Sequence, residues 1–234
     1  MKLQRECNMN IIIVSGGGLE KSALAFLREK QVVIAVDGGL QFCYDNHIAV
    51  NYVVGDFDTI HPQILEHYRK DGRAEILEYC PEKDLTDTKA AVELAVKLAK
   101  EQQRVSGKEE AVMPEIVLLG GIGSRMDHTL ANIGCLCYGL ERGVSMKIID
   151  AHNCMYVYDH SFEIERKNLI YKKYLSLIAL STEVYNLTIR GMKYETRELT
   201  LPMFSSTGVS NELQKEKAEV TFTHGLLLVI ESRD

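Results

Sequence analysis

VVIAVDGG at residues 32–39 and YVVGDFD at 52–58 decide the fold. Each is a short apolar run, rich in β-branched residues, that stops abruptly at Gly or Asp. Neither shows the polar alternation of a strand with one wet face, so both read as strands buried on two sides, the habit of parallel sheets. IIIVSGGG (11–18) repeats the pattern upstream, and EIVLLGG (115–121) and SMKIID (145–150) repeat it downstream. Helical periodicity falls between them near 19–29, 40–46, 61–70, 87–103 and 127–142. Strand and helix alternating in this way predict an α/β domain built on a doubly wound, mostly parallel sheet.

After Asp150 the character changes. CMYVYD, FEIE, YLSLIAL, VYNLTIRGMKY, AEVTFTH and LLLVIES are strand-like, with no helical pattern between them, which predicts a small all-β, sandwich-like domain. The expected division is 1–149 and 150–234. The polar segment RVSGKEEAVMPE (104–115) reads as a surface connection inside the first domain. There is no repeat of fixed period and no low-complexity tract.

Composition bounds the function. The 234 residues are 46% hydrophobic and 26% charged, as in ordinary soluble domains. Thirty-three acidic residues against 27 basic ones give a net charge of −6, which opposes a grip on nucleic-acid phosphates. Cys7, Cys43, Cys80, Cys135, Cys137 and Cys154 form no CxxC pair and read as reduced core thiols. The opening MKLQRECNMN lacks the apolar stretch of a leader, and no run approaches the ~20 apolar residues of a membrane span, so a cytoplasmic protein without a membrane partner is expected.

In open α/β sheets ligands bind beyond the carboxyl ends of the strands, where loops converge and helix N-termini point. Those ends carry Gly16, Gly17 and Gly18; Asp37, Gly38 and Gly39; Gly55, Asp56 and Asp58; and Gly120, Gly121 and Gly123. Glycines let backbone N–H groups approach phosphate closely, and also serve tight turns. Two familiar motifs are excluded: GGGLEKS has Glu20 where a P-loop needs Gly, and GGIGSRM has Met126 where a dinucleotide fingerprint needs its last Gly. Asp56 and Asp58, at i and i+2, share a side of an extended backbone and can face one cation; the plainer role for either is to cap the next helix. In KDLTD, Asp87 lies one turn before Ala91 on a stripe with Leu94, Ala95 and Leu98, while Asp84 and Thr86 read as ligands or as N-caps. In GGIGSRMDH, Arg125 can fork onto phosphate oxygens or pair with Asp127. His128 and Asn132 share one face of the following helix, with Leu130, Ile133, Cys137 and Leu140 expected on the buried face.

Taken in order, VDGG, GDFDT, KDLTDT and GGIGSRMDHTLAN resemble the thiamine pyrophosphokinase family. RGMKY (190–194), TGVSNEL (207–213) and the following THGLLLVIE resemble that family's β-domain, so the resemblance spans nearly the whole chain after residue 10. It implies transfer of a pyrophosphoryl group from ATP to the hydroxyethyl oxygen of thiamine, giving thiamine diphosphate and AMP, at a site shared between the chains of a homodimer. It implies that Asp56, Asp58 and Asp87 hold Mg²⁺, with Asp84 nearby and Arg125 assisting catalysis. Asp37, Gly38, Gly39, Asp84, Thr86, Gly121, Arg125 and Asp127 would line the nucleotide region, with Asp127 also near the substrate, and Ser210 and Asn211 would meet the thiamine pyrimidine. One departure is visible: some members stack a tryptophan on thiamine near the last strand, whereas this chain has no Trp and shows Leu228 near that place, which implies an apolar contact without aromatic stacking. Two other readings compete. DFDT approximates the nucleophile loop of haloacid-dehalogenase-like phosphatases, with Asp56 as nucleophile, although Gly55 and Ile60 depart from that pattern. A non-catalytic nucleotide sensor with an effector β-domain is the other.

Overall fold

The computed structural model describes residues 10–58, 60–80, 84–106 and 114–234. Cys7, the opening segment, Thr59 of the GDFDT motif, Lys83 of KDLTD and most of the 104–115 connection therefore lie outside the described residues. The chain divides after Ala151 into two compact units.

The first unit holds six strands: β1 (Ile11–Val14), β2 (Val32–Val36), β3 (Tyr52–Gly55), β4 (Glu75–Glu78), β5 (Ile116–Leu119) and β6 (Met146–Ile149). They lie in the order β4-β3-β2-β1-β5-β6. All five neighbouring pairs are parallel. β1 and β5 are buried at every position, as their unbroken apolar runs require. Between the strands stand α1 (Gly38–Asp45), α2 (Pro62–Asp71), α3 (Asp87–Ser106) and α4 (Met126–Glu141). The chain steps outward from β1 to β4, and α3 then returns it to the other side of β1. The strand order thus reverses between β1 and β5, and a crevice opens beyond their carboxyl ends.

Local chemistry sets the element boundaries. α2 begins at Pro62, whose missing N–H costs nothing in a first turn, and ends on Gly72 in the left-handed region at φ 66°. The helix expected over 19–29 is only a 3₁₀ turn, Lys21–Phe26. β4, reading EILE, was not legible as a strand because it is an edge strand whose two end residues are exposed glutamates.

The buried faces of two helices differ from expectation. On α3, Ala91, Val92, Ala95, Val96 and Ala99 are buried, and Leu94 and Leu98 only partly so. On α4, Thr129, Asn132, Cys135, Leu136 and Gly139 face inward. Leu130 is 55% exposed. Ile133, Cys137 and Leu140 are half-buried. Small residues let a helix lie close to its neighbours: a Cβ on Gly139 would stand 2.6 Å from Met146 Sδ. The larger residues are pushed to the flank.

The second unit is antiparallel. Its strands are β7 (Asn153–Tyr158), β8 (Phe162–Glu165), β9 (Tyr174–Ala179), β10 (Glu183–Arg190), β11 (Thr196–Pro202), β12 (Lys217–Thr221) and β13 (Leu227–Ser232). One layer runs β7-β13-β9 and the other β11-β10-β12-β8. Alternate residues of both layers, among them Leu175, Leu177, Val184, Leu187, Val220 and Val229, form one buried core. Only 3₁₀ turns interrupt the strands among the described residues. β11, reading TRELTLP, was not legible: it is an edge strand with a terminal Pro and mostly polar residues. No helix among the described residues is long and apolar enough to cross a membrane.

Candidate functional site

The crevice at the carboxyl ends of the first unit's strands is a cleft of about 540 Å³. Its lining includes Ser15 and Gly17 after β1, Asp37 after β2, Asp87 at the start of α3, and Gly121 and Arg125 after β5. The turn from β2 into α1 puts Asp37 at φ 41°, ψ −119°, a region that residues with a Cβ seldom occupy. Its carboxylate reaches across the end of β3. A Cβ on Gly55 would lie 1.9 Å from Asp37 Oδ1, so only glycine leaves room for this arrangement.

Asp56 follows β3 directly and Asp87 opens α3. One carboxylate oxygen from each of Asp37, Asp56 and Asp87 lies within 4.8 Å of the others. This is the one such group among the described residues. Three carboxylates on three different elements supply hard, anionic oxygen donors, which suit a Mg²⁺-type cation rather than a soft metal. All three side chains are half-buried, where opposing charge is screened less than at an open surface.

The expectation that places Asp58 at this point with Asp56 differs from the group found, which lacks Asp58. It assumed an extended backbone, but Phe57 adopts φ 63°, and Asp58 N donates to Asp56 Oδ1 at 3.2 Å. The chain turns at Phe57, leaving Asp58 exposed. Asp37, expected only along the nucleotide, takes the place in the group.

Asp84 is exposed and outside the group. Thr86 Oγ1 accepts from Lys89 N at 3.2 Å, so it caps α3 while also lining the cleft. Gly38 lines the cleft. Gly39 does not; a Cβ there would meet Val14 O at 2.0 Å, and its role is the close approach of α1 to β1. At the mouth of the cleft Arg125 is engaged with Asp127, Nη2 to Oδ2 at 2.6 Å and Nε to Oδ1 at 3.3 Å. These bonds from Arg125, with a backbone bond from His128 N, hold the Asp127 carboxyl at about 2. Both side chains are about two-thirds exposed.

Three residues beside these were not assigned from the sequence. Asn132, buried on α4, donates from Nδ2 to Gly121 O at 2.7 Å and so fixes the glycine turn after β5. Ser15 Oγ and Thr88 Oγ1 form a buried hydrogen bond at 2.9 Å. For Asn132 the available signal was a polar side chain on a helix face directly after a glycine-rich turn. Ser15 and Thr88 carry no comparable signal, since their partnership spans 73 positions.

Ser210 and Asn211 belong to the second unit. Ser210 has φ 58°, and its N–H donates to Ser176 Oγ at 3.0 Å. Asn211 is buried; its Oδ1 accepts from Tyr194 N and Glu212 N, both at 2.9 Å, and its Nδ2 donates to Tyr194 O at 2.8 Å. Its carboxamide oxygen is thus committed to backbone, which leaves one amide hydrogen for any ligand. Leu228 is corrected as a ring contact: it is 3% exposed and held in β13 between Val157 of β7 and Ile178 of β9.

Comparison with known proteins agrees across both units. Residues 24–148 match the family described as Thiamin pyrophosphokinase, catalytic domain. Residues 159–227 match Thiamin pyrophosphokinase, vitamin B1 binding domain. The chain is 32% identical over 228 residues to Thiamine pyrophosphokinase of Bacillus subtilis (strain 168), covering 96% of this chain and 99% of the relative. To Thiamine pyrophosphokinase 1 of Oryza sativa subsp. japonica it is 25% identical over 182 residues, 78% of this chain and 66% of the relative. The crystal structure of the Bacillus subtilis thiamine pyrophosphokinase superposes with a TM-score of 0.81 at 27% identity, covering 96% of this chain and 99% of that one. Yeast thiamin pyrophosphokinase, at 17% identity, shares the fold with a TM-score of 0.77, covering 98% of this chain and 88% of that one.

Proposed function

Since the chain belongs to the thiamine pyrophosphokinase family, we propose that it transfers the pyrophosphoryl group of ATP to the hydroxyethyl oxygen of thiamine, releasing thiamine diphosphate and AMP. The observation that carries this reading is the meeting of Asp37, Asp56 and Asp87 in a glycine-walled cleft at the strand-order reversal. Phosphoryl-type transfer needs positioning and charge neutralisation more than covalent chemistry, and this cleft is built for both.

The thiamine hydroxyl oxygen attacks the β-phosphorus and releases its proton to solvent, the bond from that phosphorus to the α,β-bridging oxygen breaks, and AMP leaves with the electron pair. The triphosphate lies along the turns after β1 and β5, where glycines bring backbone N–H groups close and the N-terminus of α4 adds its partial positive charge. Arg125, at the mouth, exchanges part of its bond with Asp127 for a phosphate oxygen. Asp37, Asp56 and Asp87 would hold a divalent cation, for which Mg²⁺ is the natural candidate. When bound, the cation supplies neutralisation of phosphate charge. The second unit supplies vitamin B1 contacts, with Ser210 and the remaining Asn211 amide hydrogen as the polar candidates. We further propose a cytoplasmic homodimer in which the α/β unit of one chain and the β unit of its partner complete each site. The phosphatase and sensor readings gain no support from the comparisons.

The test is incubation with ATP, Mg²⁺ and thiamine, with chromatography of AMP, ADP, phosphate and thiamine diphosphate. Equal amounts of AMP and thiamine diphosphate, abolished by Asp56→Asn, are expected. Phosphate without AMP overturns the assignment in favour of a phosphatase.

A further inference from the structure

The three carboxylates of the cleft are not carried in the same way. Asp37 and Asp56 follow β2 and β3, adjacent strands whose parallel register pairs Ile34 with Tyr52 and Val36 with Val54. The sheet itself therefore fixes the distance between them. Asp87 is carried by the first turn of α3, a helix that crosses back over the sheet, and nothing in the strand ladder sets the rotation of that turn.

The next residue supplies a directional bond that bears on it. Thr88 Oγ1 lies 2.9 Å from Ser15 Oγ, and both residues are less than 9% exposed at the floor of the cleft. Ser15 is itself immobilised at the seam where the strand order reverses: its N–H donates to Leu119 O at 2.9 Å. A Cβ on Gly120 would stand 2.2 Å from Ser15 O, so the two turns are in close contact there. Successive helix residues are about 100° apart, so a rotation that breaks the Thr88 bond swings the Asp87 carboxylate off its shared point with Asp37 and Asp56. Two apolar side chains of similar volume would fill the same space. A directional bond fixes the turn's rotation as well as its position.

We propose that the Ser15–Thr88 hydroxyl pair is the positioning device for Asp87, and that it sets the divalent-cation affinity of the Asp37, Asp56 and Asp87 group. This rests on reading that group as the cation site. In this role Ser15 and Thr88 act through Asp87.

The experiment measures Mn²⁺ binding to the full chain without nucleotide, by electron paramagnetic resonance of the free ion, alongside thermal unfolding of each variant. Asp87→Asn defines the affinity of a broken site. Ser15→Ala and Thr88→Val are expected to weaken Mn²⁺ binding about tenfold, and Thr88→Ser, which keeps the hydroxyl, to stay within about twofold of the parent. Each single variant strands one buried hydroxyl and lowers the unfolding temperature. The double variant Ser15→Ala/Thr88→Val strands none and is expected to recover that temperature while remaining weak in Mn²⁺. A double variant that binds Mn²⁺ as tightly as the parent overturns the proposal and leaves the cation site standing. A parent chain that binds no Mn²⁺ overturns the reading of the three carboxylates, and the proposal with it.

Discussion

Two clefts of the first unit stand in contrast, and the larger of the two is not the candidate site. One, about 690 Å³, lies toward the amino ends of β3 and β4 and is lined by Cys43, Tyr44, His67, Tyr68, Asp71 and Arg73 among others. The other, about 540 Å³, lies at the carboxyl ends of β1 and β5. In the larger cleft the groups are settled among themselves. Asp71 takes both oxygens to Arg73 Nε, at 2.7 and 2.9 Å, which holds its carboxyl below the usual range. Tyr44 meets the His67 ring edge-on at 5.1 Å. Burial pushes the Cys43 thiol up to about 12, too high for a thiolate at neutral pH. In the smaller cleft three carboxylates are turned toward one another, on turns that spend backbone strain and a glycine to bring them there. Like charges gathered at one point, and not volume, distinguish the smaller cleft.

The sharpest way to break this contrast is to neutralise the gathered charge. Asp37→Asn, Asp56→Asn or Asp87→Asn is expected to lower kcat/KM for thiamine diphosphate formation on the order of 10²–10³-fold with little change in thermal unfolding. Displacing a carboxylate without removing it comes next. Gly55→Ala places a methyl on Asp37 Oδ1, and a misplaced group of this kind costs about 10²-fold in the same assay. Asp58→Asn is expected to cost less than about tenfold, because Asp58 stands outside the group; an effect equal to that of Asp56→Asn would restore the sequence-based pairing.

The Arg125–Asp127 pair gives a smaller, spectroscopic effect. A carboxyl held low in the folded state contributes stability above its ordinary value, and loses that contribution as pH falls from 3.8 to about 2. The ¹³C carboxyl resonance of Asp127 should therefore titrate near 2, and Arg125→Gln should return it toward 3.8. The smallest effect belongs to the larger cleft. Tyr44→Ala combined with His67→Ala is expected to change kcat/KM by less than about twofold, since neither residue touches the carboxyl ends of the strands. A loss comparable to Gly55→Ala would show that the two clefts are coupled.

Much of this architecture was written locally. The parallel core strands were legible because burial on both faces demands unbroken apolar runs, and their ends because tight turns into helices demand Gly. β4 and β11 were not, because an edge strand satisfies only one neighbour and tolerates charge or Pro. The inward face of α4 was misread because large apolar residues stand out in a sequence, whereas close packing there selected Gly139 and a buried Asn132 bonded to Gly121 O.

For the site, the sequence by itself determined the kinds of groups present and the sheet edge that presents them: aspartates and glycines after β2, β3 and β5, and Asp87 at a helix start. Which aspartates meet was decided only by the tertiary structure. Asp58 leaves the group through one backbone turn at Phe57. Asp37 joins it because β2 and β3 are neighbours and Gly55 leaves room, and Asp87 opens a helix whose next residue, Thr88, bonds Ser15 across 73 positions. A run of residues fixes its own backbone preference, but the distance between side chains on separate elements exists only once the sheet has set the register between them.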